Sequence, residues 1–138
     1  MNLDVRWKQR FQNFDRAVTL LREPIARGVD SLSLLEKEGV VQRFEFTMEL
    51  AWKTLRDYLE TAGRTIDPVT PRNVIKEAFA ARIIDDGQVW LDMLDRRNLL
   101  SHTYDEKNFV EAVEELASRY MAAIDRLHGW LASRLGEE

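Results

Sequence analysis

The 138-residue chain contains no cysteine, three prolines and six glycines, and it has no excess of positive charge. Without cysteine there can be neither a disulfide framework nor a thiolate metal site, which suits a reducing compartment such as the cytoplasm. So little proline and glycine excludes collagen-like and low-complexity chains. No apolar run approaches the roughly 20 residues of a membrane-spanning helix, and Met1-Asn2-Leu3-Asp4-Val5-Arg6 lacks the apolar core of a signal peptide. The sequence therefore predicts a cytoplasmic protein without a membrane segment. The formal net charge is −4, and all of it arises after His102: residues 103–138 hold eight acidic and four basic side chains, whereas 1–63 and 64–102 are each balanced. This disfavours an extended, sequence-blind surface for phosphates, so any contact with RNA should be local. Gly-rich phosphate loops, His-Glu-x-x-His helices and serine nucleophile elbows are also missing.

What the chain does have is 45% hydrophobic residues, enough for one core in one domain spanning residues 1–138. Trp7, Phe11, Phe14, Val18, Leu21 and Ile25 step by threes and fours, predicting a helix from about Leu3 to Ala26 that ends at Pro24 and Gly28. Val41, Phe44, Met48, Ala51, Leu55, Tyr58 and Ala62 predict a second helix stopped by Gly63. Between them, residues 27–38 form the longest connector. Thr70 reads as an N-cap and Pro71 as the first position of a short third helix carrying Val74, Ile75, Ala78 and Phe79. After Asp85-Asp86-Gly87, a fourth helix with Trp90, Met93, Leu94, Arg97 and Leu100 runs to about Ser101. Phe109, Val113, Leu116, Tyr120, Ile124, Leu127 and Leu131 trace a long fifth helix. No strand and no repeat is visible. Seams of this spacing joined by mostly short connections predict an all-α, antiparallel up-and-down bundle of four to five helices, with most of the four tryptophans and six phenylalanines in its core.

The fourth helix departs from generic bundle material. Counted from Trp90, Met93 or Leu94, Arg97 falls on the inward side, where a cation must find a partner or line a cleft. Asn98 and His102 are four residues apart and share a face, as do Arg97 and Ser101. The imidazole of His102 is suited to proton transfer near neutral pH, and a guanidinium can stabilise a developing negative charge. Each residue also has a structural reading: Arg97 as a salt bridge to Glu45 or Glu49 of the second helix, His102 as a favourable cation at a helix C-terminus, Tyr104 as a packed ring with its hydroxyl in water. Glu45 and Glu49 lack the neighbouring carboxylate–histidine cluster of a metal centre, so neither metal nor cofactor is expected. His128, between Leu127 and Gly129 near Trp130, reads as helix surface or core edge.

Arg97-Asn98-Leu99-Leu100-Ser101-His102-Thr103-Tyr104 resembles the R-x4-H-x-Y motif of HEPN-domain proteins, the helical toxins paired with minimal nucleotidyltransferases. Arg43-Phe44-Glu45-Phe46-Thr47-Met48-Glu49-Leu50-Ala51-Trp52-Lys53-Thr54-Leu55 is similar to the second helix of the nucleotidyltransferase substrate-binding bundles of the same group, and the resemblance covers nearly the whole chain. It implies a homodimer in which two such motifs face each other and form a metal-independent ribonuclease site with Arg97 and His102 as the catalytic pair, supported by Asn98 and Ser101. It also implies a cognate nucleotidyltransferase, the antitoxin, that silences the toxin by AMPylation of Tyr104. An acidic chain would bind RNA there only if cations such as Arg72, Lys76, Arg82 and Arg96 gathered around the cleft. The alternative is a non-catalytic substrate- or nucleotide-binding subunit of a two-component nucleotidyltransferase; a third reading is a purely structural dimerisation module.

Overall fold

The computed structural model describes residues 3–102 and 104–136, and within them it is entirely helical. The order is α1 (Leu3–Arg27), a 3-10 turn (Val29–Ser31), α2 (Leu34–Thr61), α3 (Pro71–Ala80), α4 (Gly87–His102), α5 (Glu106–Glu115), a π turn (Leu116–Tyr120) and α6 (Met121–Arg134). Helix α2 is the hub and touches α1, α3, α4 and α5. Cross-contacts fix the directions. Arg6 meets Glu60 while Arg43 meets the Leu20 carbonyl, so α1 and α2 are antiparallel. Arg97 meets Glu49 while Tyr104 meets Glu38, so α4 also runs against α2. The bundle is antiparallel, as the seams predict. Among the described residues no helix is long and apolar enough to cross a membrane.

The seams are the core. Trp7, Phe11, Phe14, Val18 and Leu21 of α1, Phe44, Met48, Ala51 and Leu55 of α2, Trp90, Met93 and Leu94 of α4, and all seven predicted positions from Phe109 to Leu131 are buried. Several details differ from the sequence expectation. Pro24 lies inside α1 rather than at its end; the helix stops at Gly28, whose φ of 93° lies in the left-handed region that glycine enters without a Cβ clash. Helix α2 begins at Leu34, seven residues before the first seam position, because Ser33 and Glu36 form a reciprocal capping box. The connector between α1 and α2 is correspondingly shorter and ordered around a 3-10 turn. Phe46 and Phe79 are exposed rather than core. The fifth helix is continuous through α5 and α6 but contains a π turn at Leu116–Tyr120. There the seam takes two steps of four in succession, from Leu116 to Tyr120 to Ile124, and the wider turn keeps both later residues on the core side.

One ionic cluster is built into the α1–α2 contact. Asp57 is wholly buried; its carboxylate accepts hydrogen bonds from Arg10 Nε at 2.6 Å and Arg56 Nε at 3.1 Å, and Arg6 Nε stands 3.5 Å away as an ion pair without a hydrogen bond. A buried carboxylate with three guanidiniums is compensated; the same arginines without it are not. Asp57→Asn is therefore expected to lower the unfolding free energy by about 3 kcal/mol, read from urea denaturation, while the helical circular dichroism at low denaturant is retained.

Candidate functional site

Helix α4 is seated by Trp90, Met93, Leu94 and Leu100 on its buried side and by ion pairs at its start, Arg126 with Asp86 and Arg119 with Asp92 (2.9 Å). Its other end is stitched to one stripe of α2. Glu38, Glu45 and Glu49 are spaced by seven and four residues and so lie in a row along that helix. Arg97 Nη2 donates to Glu49 Oε2 at 2.6 Å. Ser101 Oγ stands 3.2 Å from Glu45 Oε2 and 3.0 Å from the Arg97 carbonyl. The Tyr104 hydroxyl donates to Glu38 Oε1 at 2.7 Å.

Arg97 thus takes the inward position its spacing predicts, and Glu49 is the partner it finds. The guanidinium is half-buried, and its Nε is buried without a hydrogen-bond partner among the described residues. Glu49 is shared: Lys53 Nζ lies at 2.9 Å and Trp52 Nε1 donates at 3.1 Å. Burial pushes the Glu49 carboxyl up, but the hydrogen bonds from Lys53 and Trp52 and the charges of Lys53 and Arg97 outweigh it and hold the group below its usual range.

His102 and Asn98 behave differently. Both are exposed, and neither side chain makes a hydrogen bond or ion pair among the described residues. His102 is the last residue of α4, at the negative end of the helix dipole. Five residues separate it from Arg97, a turn of about 140° around the helix. Arg97 faces α2 while His102 faces solvent, so one chain joins Arg97 to Ser101 and joins neither to His102. Tyr104 is 82% exposed, its ring set edge-on against Phe109 with centroids 5.2 Å apart. Its hydroxyl rests on Glu38 rather than in open water, and that hydrogen bond and the carboxylate's charge raise the phenol above its ordinary value.

Of the four cations expected to gather here, two are engaged by carboxylates: Arg72 is bound to Asp95 at 2.6 Å and Arg96 lies 3.6 Å from Glu111, whereas Lys76 and Arg82 make no ion pair among the described residues. The open cavity of about 370 Å³ beside α4, between Asp92, Asp95, Arg96, Leu99, Glu115, Arg119 and Tyr120, has more carboxylates than arginines. Glu45 and Glu49 face Ser101 and Arg97 of α4, and among the described residues no group of three or more histidine, cysteine or acidic side chains is placed to hold a metal ion. His128 sits at the core edge, stacked on Phe11 at 5.3 Å with Nε2 2.6 Å from Asp15 Oδ1. Sequence reasoning missed Glu38 as the partner of Tyr104; its signal was the spacing from Glu45 along the same stripe.

Because the Glu49 carboxyl titrates lower in the folded than in the unfolded chain, its contribution to stability is complete above the ordinary value of about 4.5 and is lost as pH falls through the lower folded value. In urea titrations at successive pH values, Glu49→Gln is expected to remove part of the wild-type loss below that point, on the order of 1 kcal/mol or less for so partly exposed a group. Glu38→Gln is expected to bring the Tyr104 phenol back toward its ordinary value, followed by ultraviolet absorbance against a Tyr104→Phe control.

Comparison with known proteins places this geometry among relatives. A protein of Haemophilus influenzae (strain ATCC 51907 / DSM 11121 / KW20 / Rd), named as a probable ribonuclease HepT, is 32% identical over 72 residues, half of this chain and 49% of that protein. The match therefore spans about half the length of that relative. A crystal structure of a protein from Thermus thermophilus superposes with a TM-score of 0.72 and 28% identity, covering 90% of this chain and 99% of the other. The model of the family described as "Nucleotidyltransferase substrate binding protein like" matches residues 9–133. The chain belongs to that family, within the HEPN group of helical bundles that its fourth-helix motif resembles.

Proposed function

We propose that the protein is a metal-independent RNA endonuclease, the toxin of a toxin–antitoxin pair, silenced when a cognate minimal nucleotidyltransferase transfers AMP to Tyr104. The observation that carries this reading is the open end of α4, where His102 stands in solvent without a competing hydrogen bond among the described residues and Arg97 and Tyr104 keep the R-x4-H-x-Y spacing. Family membership and the relative named as a probable ribonuclease support it.

In the cleavage step one histidine takes the ribose 2'-hydroxyl proton, the 2'-oxygen attacks the adjacent phosphorus, and the bond to the 5'-oxygen breaks. That oxygen leaves with a proton from a second histidine, which makes the product a 2',3'-cyclic phosphate and a 5'-hydroxyl. The Arg97 donors not engaged by Glu49 stabilise charge on the non-bridging oxygens. Each chain holds one such histidine, facing away from its own Arg97, so the reading calls for a homodimer that sets His102 of each copy near the arginine of the other. Asn98, on the His102 face, orients the imidazole or a phosphate, and Ser101 buttresses Arg97. In the silencing step the Tyr104 oxygen attacks the α-phosphorus of ATP, pyrophosphate leaves, and Glu38 receives the phenolic proton. The AMP places bulk and negative charge beside His102.

A second reading has its own observation. Glu49 already holds Arg97, and Glu45 and Glu38 hold Ser101 and Tyr104, so most polar groups of the motif are engaged within the fold, an arrangement that suits a non-catalytic subunit of a two-component nucleotidyltransferase.

Purified protein is expected to cleave RNA in excess EDTA, and His102→Ala to lose at least about 100-fold of that rate with unchanged thermal unfolding. Intact RNA after incubation with folded wild-type protein would overturn the nuclease reading in favour of the second. Co-expression with the partner and ATP is expected to add about 329 Da, the covalent mass of an AMP adduct, at Tyr104. An active partner that adds no mass removes the silencing half.

A further inference from the structure

The flank formed by α1 and α2, away from the end of α4, carries positive charge that the fold leaves uncompensated. Arg6, Gln9, Arg10, Asn13 and Arg16 recur at steps of three and four or their immediate neighbours, so they share one side of α1 over about 15 Å. The first four line an open groove of about 330 Å³, and no carboxylate and no apolar side chain lines it with them. Beneath it, three guanidiniums share two carboxylates: Arg6, Arg10 and Arg56 meet Asp57, and Arg6 also meets Glu60. Arg10 engages Asp57 through Nε, and its terminal nitrogens have no hydrogen-bond partner among the described residues. Arg43 of α2 donates to the Leu20 carbonyl at 2.7 Å, an uncharged acceptor, and exposed Arg16 makes no ion pair among the described residues, so both keep their charge.

We infer that this groove is a binding site for the phosphates of an RNA strand. A wholly buried carboxylate fixes the arginines by their inner edges and so pre-orients their outer edges, the geometry in which guanidinium binds phosphate best. Gln9 and Asn13 add amide donors and acceptors for phosphate oxygens or the 2'-hydroxyl. On α2, Phe46 is 63% exposed and offers a face on which a base can stack. A lining of hydrogen-bonding side chains with excess positive charge fits a phosphodiester backbone rather than an apolar peptide. The phosphate site stands on this geometry; the choice of RNA as its carrier rests on the nuclease reading.

The test uses full-length protein carrying His102→Ala, so that RNA is bound without being cut, and the fluorescence anisotropy of a labelled single-stranded RNA. Asn13→Asp and Arg16→Glu leave the Asp57 cluster intact; each is expected to weaken binding about tenfold, and Arg16→Glu to lower the slope of log affinity against log salt by about one. Lys107→Glu, an exposed cation on α5, is expected to change neither. Unchanged RNA affinity in both groove variants overturns the site, as does a change of oligomeric state by gel filtration in place of a change in affinity. Competition by ATP as effective as that by unlabelled RNA overturns the assignment to a strand, because a mononucleotide then suffices. Binding that depends on the groove in a protein that never cuts RNA sinks the nuclease reading alone, and cutting without groove dependence sinks this inference alone.

Discussion

The carboxylates of α2 set the positions of the polar groups on α1 and at the end of α4. Glu38, Glu45 and Glu49 face the end of α4 and receive Tyr104, Ser101 and Arg97, while Asp57 faces α1 and receives Arg6 and Arg10. The same helix buries Val41, Phe44, Met48, Ala51, Leu55 and Leu59. Its apolar stripe brings the other helices close, and its acidic stripes determine which way their cations point. Hydrophobic burial is non-directional and cannot make that second choice; ionic hydrogen bonds, which depend on distance and angle, can.

The two ends of this arrangement differ in electrostatic character. At the end of α4 the Arg97 guanidinium meets a carboxylate of α2, so the group left open is the exposed imidazole of His102. On the α1 flank the carboxylate is buried and outnumbered, so guanidinium charge remains at the surface. A third polar seam closes α1 against α6: Asp15 holds His128, and Arg22 holds Asp125 at 2.7 Å. Those groups are mutually satisfied and act as a brace between two helices. Net charge summed over the chain hides this separation, because buried Asp57 counts as fully in the sum as exposed Asp85.

The elements were legible wherever burial is one-sided. Thr70 and Pro71 start α3 as their chemistry requires, and the α1 seam is core from Trp7 to Leu21. The start of α2 was missed because Leu34 and Leu35 lie outside the apolar seam, while the decisive signal was polar, the Ser33–Glu36 box. Phe79 looked like core because hydrophobicity was the only cue; in the fold it packs its ring against Gly87, where an added Cβ would come within 3.1 Å, and leaves its other face in water.

For the candidate site, the residues were legible and their partners only in part. The spacing of Arg97 and His102 put both in the last turns of one helix with Tyr104 just beyond it, and periodicity alone turned Arg97 inward. Whether Arg97 would meet Glu45 or Glu49 was left open by the sequence, and Glu38 did not enter into it. Those choices wait on how α2 and α4 slide and rotate against each other, which is fixed by side chains interlocking across the whole bundle. Local sequence determines which face of a helix is apolar and which residues share a turn. Only the assembled fold determines which charges stand opposite one another, because a contact between residues 48 positions apart has no local cause.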